Sequence, residues 1–334
     1  MLLPLLFLGA SASNFPVRTM NFQMPNSKPT APETYLCSPM KLDLNTTHYL
    51  VGFEPRASAK TAHHMLLYGC EAPARLDPIY NCGSMTTKQA GLSSALRPCG
   101  RGHSEIVYAW AQDAPKLDLP EGVGFRVGRD SGIQWLVLQV HYATVDHIPA
   151  KGDTSGVVLQ YTDVPQPKSA GVYFMGTNGR IPAGSTTKME TACQLKESLT
   201  LHPFAFRVHT HALGRVVSGW KVEGSGQKWT LLGKEDPQLP QMFYPVENKA
   251  MTISRGETIA SRCTMVNHRP YATWIGSTRK DEMCNFYLMY WVHGKETLKS
   301  NRCVSVGPPV YTWGGWFLGG GLSNIPDKEA SSLS

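Results

Sequence analysis

No stretch after the first few of the 334 residues approaches the ~20 consecutive apolar positions that a membrane-spanning helix requires. Basic runs are missing too. The 32 Lys and Arg are scattered singly among 25 Asp and Glu, so the formal charge of +7 lacks the basic and aromatic interleaving of a nucleic-acid interface. That charge reads as a solvated surface, mildly attractive to anionic substrates. Among the eight cysteines there is no CxxC pair, and the chain contains no HExxH, which argues against zinc-finger, dithiol-redox and zincin sites. There is no short-period repeat, and only Thr86 to Leu96 hints at a helix.

What is present favours β-structure. The 31 Gly and 24 Pro mark many turns, and short β-branched and aromatic runs lie between them. Candidate strands are Ile133 to Tyr142, Gly156 to Tyr161, Phe204 to Val217, Lys228 to Leu232, Met251 to Ile253, Ile259 to Val266 and Phe286 to Val292. The expected fold is all-β, with two antiparallel sandwiches of jelly-roll type packed across a cleft. The polar, proline-bearing stretch YTDVPQPKSAG (161–171) marks the boundary, giving domains at 30–165 and 166–310. The tail 311–334, rich in Gly and Ser, is expected to fray, and its apolar knot Trp313 to Leu318 is too short for a membrane anchor. The opening MLLPLLFLGASAS, with Ala10-Ser11-Ala12 resembling a cleavage site, suggests a signal peptide over 1–12, although no basic residue precedes it. Asn45-Thr46-Thr47 is the sole glycosylation sequon. An even cysteine count without metal spacing indicates disulfides and an oxidising compartment. Four cysteines (Cys37, Cys70, Cys82, Cys99) precede residue 100 and four (Cys193, Cys263, Cys284, Cys303) follow residue 190; pairing within each group leaves 3 × 3 = 9 connectivities.

Three histidine and methionine clusters carry chemistry. In RVHTHALG (207–214), strand alternation puts Arg207, His209 and His211 on one face and Val208, Thr210 and Ala212 on the other. Two imidazoles on one face can hold one metal, although such a pair also occurs by chance. In His63-His64-Met65, adjacent residues share a face only at a bulge, a twist or a strand end, and His141 follows at the end of another strand. In DEMCNFYLM (281–289), alternation groups Met283, Asn285, Tyr287 and Met289, with Cys284 and Phe286 behind. A methionine in a strand is ordinarily core filler; beside two imidazoles its thioether becomes a soft donor suited to Cu(I). With the cysteines oxidised, thiolate sites are disfavoured, and neither histidine pair brings the carboxylate of a 2-His-1-carboxylate iron site. Imidazole and imidazole-thioether sites fit copper best, while a zinc hydrolase built on His63, His64 and His141 stays open.

Several long motifs occur in order: PRASAKTAHHMLLYGC (55–70), YAWAQDAP (108–115), GVGFRVG (122–128), LQVHY (138–142), RVHTHALGRVVSGW (207–220), PQLPQMFYPVE (237–247) and DEMCNFY (281–287). Over roughly residues 35–305 the chain resembles the copper type II, ascorbate-dependent monooxygenases, in particular their peptidylglycine α-hydroxylating branch. The resemblance implies two copper ions, ascorbate as electron donor and O2 as co-substrate. It places an electron-storing copper on His63, His64 and His141, and the catalytic copper on His209, His211 and Met283. It implies peptides ending in glycine as substrates, with Arg207 gripping the terminal carboxylate and Asn285 and Tyr287 assisting; Gln139 would aid a water or electron relay. It implies the bridges Cys37–Cys82, Cys70–Cys99, Cys193–Cys303 and Cys263–Cys284, one of the nine. The resemblance further implies location in secretory granules or outside the cell, and a separate lyase that cleaves the hydroxylated product, the expectation being that a chain of this length holds no such unit. The segment Asn81 to Gly102 is longer between its cysteines than the family pattern. Two other readings compete: a dopamine β-monooxygenase-like catecholamine hydroxylase and a non-catalytic secreted copper-binding protein.

Overall fold

The computed structural model describes residues 15–83, 97–239, 242–276, 278 and 280–333. The signal-like segment 1–12 and the helix expected over Thr86 to Leu96 lie outside the described residues. Every regular element among the described residues is a β-strand.

The first half folds into two sheets around one core. A five-stranded antiparallel sheet runs in the order Tyr80–Asn81, Thr34–Lys41, Trp135–Tyr142, His64–Cys70, Ser104–Ala111. Facing it, Arg18–Gln23, Gly156–Thr162, Thr47–Arg56 and Val123–Gly128 lie side by side. The two layers meet through residues such as Phe53 and Tyr108, whose rings stack at 4.7 Å. In the second half, Thr186–Gln194, Thr258–Val266, Gly214–Glu223 and Lys228–Glu235 form a four-stranded sheet. It packs on Lys168–Thr177, Cys284–His293 and His202–Thr210.

These two sandwiches share a sheet. Lys168 and Ser169 pair in parallel with Val123 and Gly124, which joins the strands of both halves into one ten-stranded sheet. The second-half part of that sheet is therefore covered on both sides, and its strands read as near-continuous apolar runs. Alternation sorts them. Phe206, Val208, Phe286, Leu288 and Tyr290 enter the core of their own sandwich, whereas Ala205, Tyr287, Met289 and Phe174 join the core of the first half. The strand parity expected for residues 283–289 is the parity found.

Close approach of the layers depends on two glycines. A Cβ on Gly219 would stand 2.1 Å from the Phe286 ring, and one on Gly233 would stand 2.1 Å from the Phe206 ring. Those phenylalanines stack on each other at 5.8 Å, so the backbone opposite supplies the space.

Three expectations change. The run Phe204 to Val217 is not one strand; it breaks after Thr210 and resumes at Gly214, with residues 211–213 turning between. Met251 to Ile253 supplies only one bridge, between Ile253 and Leu201. The tail beyond 311, expected to fray, packs against the outer face of the four-stranded sheet. Trp313 and Ala330 are fully buried with Trp220, Val222 and Ala260, and the Trp313 indole N–H donates to the Thr191 carbonyl at 3.0 Å. Beneath it the Arg262 guanidinium is buried against Glu190 and lies 4.4 Å from the Trp313 ring. Of the apolar knot only Trp313 enters that surface, while Trp316 and Phe317 stay exposed, and the run alone does not tell which of its residues finds a partner. The four bridges are Cys37–Cys82, Cys70–Cys99, Cys193–Cys303 and Cys263–Cys284.

Candidate metal centre

The first cluster forms at a strand end. Strand His64–Cys70 opens at His64, which lies opposite His141 in register, while His63 stands just outside and donates its backbone N–H to the His141 carbonyl at 2.9 Å. Leaving the pleat at that point frees two adjacent rings to turn the same way. The ligand nitrogens of His63, His64 and His141 all lie within 4.8 Å of one another. The Nδ1 atoms of His63 and His64 are 3.2 Å apart. Two nitrogens each about 2 Å from one ion at a tetrahedral angle stand about 3.3 Å apart, so the donor set fits a metal.

The surroundings prepare these rings. His141 Nε2–H donates to the Glu33 carboxylate at 2.9 Å, which fixes the tautomer and leaves Nδ1 as the basic nitrogen. Tyr35, paired with His141 across strands, stacks on its ring at 4.1 Å and meets His64 edge-on at 5.8 Å. Burial, and then the neighbouring His141, His63, His209 and Arg207, hold His64 well below the ordinary histidine range. The ring stays neutral, the form in which it can ligate.

The second cluster belongs to the buried face of the shared sheet. His209 lies opposite Asn285, and Arg207 opposite Tyr287. His211 and Met283 stand one residue beyond the last register pair, Thr210 and Cys284. The His209 and His211 rings are 5.5 Å apart. The His211 ring donates Nδ1–H to the Asp281 carbonyl at 3.1 Å, because a carbonyl only accepts; Nε2 keeps its lone pair. Asn285 turns its amide to the Met283 sulfur at 3.8 Å. The Cys263–Cys284 bridge anchors the residue after Met283. Glu282 is fully buried; its carboxylate accepts the backbone N–H groups of His211, Met283 and Leu213, and burial raises its pKa against the opposing pull of His211.

One cavity joins the two halves. Tyr35, His64, Leu66 and Gln139 line it from the first, and Arg207, His209, Met283 and Tyr287 from the second. Across it the His64 and His209 rings are 5.7 Å apart. Arg207 is 2% exposed, with its guanidinium carbon 5.2 Å from the Tyr287 ring centroid. Burial lowers its pKa, opposed by Tyr287 and Tyr108. Gln139 donates Nε2–H to the Gly83 carbonyl at 2.9 Å, which holds its amide at the cavity wall. His211 and Asn285 are not part of its lining. Of the functional surroundings, Glu33, Tyr35 and Glu282 escaped sequence reasoning: each acts through a contact with a residue distant in the chain, and Glu282, at the end of the charged stretch Arg279-Lys280-Asp281, reads locally as one more solvated acid.

The chain is similar to known proteins along both halves. Residues 16–149 match the N-terminal domain and residues 168–315 the C-terminal domain of the copper type II ascorbate-dependent monooxygenases. The chain is 43% identical over 294 residues to peptidyl-glycine alpha-amidating monooxygenase B of Xenopus laevis, covering 87% of this chain and 32% of that protein. It is 41% identical over 307 residues to the Rattus norvegicus peptidylglycine alpha-amidating monooxygenase, covering 90% of this chain and 29% of that one. Human dopamine beta-hydroxylase is 27% identical over 293 residues, covering 82% of this chain and 46% of that one. The chain spans about a third of the length of the amidating monooxygenases it matches. Matched along both halves by the two domains of one family, the chain belongs to the copper type II ascorbate-dependent monooxygenases.

Proposed function

We propose that this chain hydroxylates the α-carbon of the terminal glycine in glycine-extended peptides, the first step of C-terminal amidation. The observation that carries the reading is the shared cavity, in which a buried guanidinium, Arg207, stands on the same sheet face as His209 and Met283 and opposite His64. His63, His64 and His141 would hold one copper, and His209, His211 and Met283 the other. Copper supplies one-electron redox chemistry and activates O2, with ascorbate as the source of two electrons; one oxygen atom enters the glycine C–H bond and the other leaves as water.

The protein's own part is position. A guanidinium can grip a carboxylate through two parallel N–H donors, which selects peptides with a free C-terminal acid. Tyr287, packed on that guanidinium, restrains it, and Asn285 steadies the Met283 sulfur. With the carboxylate fixed, the glycine Cα is one bond away and is held towards His209 and Met283. Burial on both faces of the sheet excludes bulk water, which strengthens the grip.

The product, an α-hydroxyglycine peptide, is to be cleaved by a lyase. Four disulfides and the amidating relatives support an oxidising, secretory or extracellular setting, with secretory granules as the specific compartment proposed. Asn45, exposed in its turn, is available for glycosylation there. The division into copper domains at 30–165 and 166–310 is proposed with it. The test is mass spectrometry of a glycine-extended peptide incubated with protein, copper, ascorbate and O2. Gain of one oxygen atom by that peptide, and none by its amidated counterpart, supports the reading. Copper binding with no consumption of ascorbate or O2 would indicate a carrier instead.

A further inference from the structure

We infer that Glu282 is the positioning residue that holds the backbones of His211 and Met283 together at one copper site. The inference rests on the reading of His209, His211 and Met283 as one ligand set.

His211 and Met283 each sit just past the end of a strand, and the ladder between their strands stops at Thr210 and Cys284. Their N–H groups therefore lack sheet partners, Met283 in the buried interior and His211 at a partly buried position, and a donor left unmet away from water is costly. One side chain meets that need. Glu282 Oε1 accepts both the His211 N–H and the Met283 N–H, the latter at 2.8 Å, and Oε2 accepts the Leu213 N–H at 2.8 Å. No lysine or arginine among the described residues forms an ion pair with it, so backbone donors dominate its surroundings.

Glu282 is itself fixed. Its N–H donates to the Trp274 carbonyl and its carbonyl accepts the Gly276 N–H, both at 2.9 Å. A rigid backbone thus presents a carboxylate to the turn 211–213, while the preceding residue, Asp281, orients the His211 ring through its carbonyl. Strand register alone cannot do this, because the two ligands lie beyond it. Replacing the carboxylate by an amide of the same size leaves one acceptor oxygen and turns an NH2 group towards an N–H donor. The turn carrying His211 would then be free to move away from Met283.

The test compares wild type with Glu282→Gln and Glu282→Asp. It reads copper stoichiometry on limiting dialysis and the sulfur signal in X-ray absorption of the Cu(I)-loaded protein. Wild type is expected to bind two coppers with sulfur in the coordination shell. Glu282→Gln is expected to keep the His63, His64, His141 copper as an internal control of folding. Its affinity at the other site should fall roughly 10–100-fold, the usual effect of losing a partner behind a ligand, with the sulfur signal diminished. Glu282→Asp withdraws the oxygens by one methylene, and a smaller loss at the same site is expected; it serves as the test should the glutamine variant fail to fold. Either folded variant with wild-type affinity and an unchanged sulfur signal overturns the inference and leaves the ligand set standing. Absence of sulfur in the wild type removes the ligand set, and this inference with it.

Discussion

Arg207 lies directly across from Tyr287 in the strand ladder, its guanidinium carbon 5.2 Å from the centre of the tyrosine ring. The pair is almost wholly inaccessible, and it faces the cavity that His64, His209 and Met283 also line. Arg207→Ala is therefore expected to weaken glycine-extended peptides while copper loading stays at two per chain. Hydrogen bonds to charged groups contribute roughly 1.5–3 kcal/mol, so kcat/KM should fall about 10–150-fold, mainly through KM. Steady-state kinetics beside metal analysis decides the matter; parallel loss of copper would make Arg207 a structural residue.

Met283→Ile keeps the volume and removes only the thioether. Its stability should change by less than about 1.5 kcal/mol, as for other volume-conserving swaps. Hydroxylation should fall by more than the roughly 10–100-fold that follows loss of a partner behind a ligand. Thermal unfolding and product assay on the same preparation check both halves, and a variant with near wild-type turnover would contradict the role of the sulfur.

Gly219 shows how far the site depends on packing behind it. A methyl group there would meet the Phe286 ring at 2.1 Å, and Phe286 sits between Asn285 and Tyr287. Gly219→Ala is expected to destabilise by about 1–3 kcal/mol through overpacking. Denaturant titration measures this. An unchanged midpoint would mean the layers separate more easily than their contacts indicate.

The tail is anchored by Trp313, whose backbone N–H donates to Glu190 at 2.7 Å while its ring covers Arg262. Trp313→Ala should cost about 3–5 kcal/mol, as large buried aromatics do, and expose residues 314–333 to protease while copper stoichiometry is kept. Limited proteolysis followed by mass analysis reads the release; a protected tail would show that Leu322 and Ala330 suffice to hold it.

Much of this arrangement is legible locally. Strand alternation alone places Arg207 with His209, and Met283 with Asn285, Tyr287 and Met289, because a period of two needs no tertiary information. The same rule overreaches at His211, which lies in the turn after its strand and is aligned by Glu282 and Asp281 rather than by the pleat. His63 and His64 could be reconciled with one ion only through a bulge, a twist or a strand end; the strand end is what occurs. Disulfide connectivity was narrowed to nine by counting and to one only by resemblance, since spacing along a chain does not fix which Cβ atoms meet. Glu33 and Tyr35 left no trace, as their roles exist only through pairing with His141, more than 100 residues away.

The sequence by itself determined the β-class, the cysteine content that favours disulfides and the supply of imidazole and thioether side chains, all properties of composition, cysteine usage and side-chain chemistry. The tertiary structure decided that a single sheet runs through both halves, that the two histidine clusters face each other across one cavity, and that the tail covers Arg262. Those depend on where distant segments meet. Such contacts are set by the packing of faces against one another, which no local period encodes.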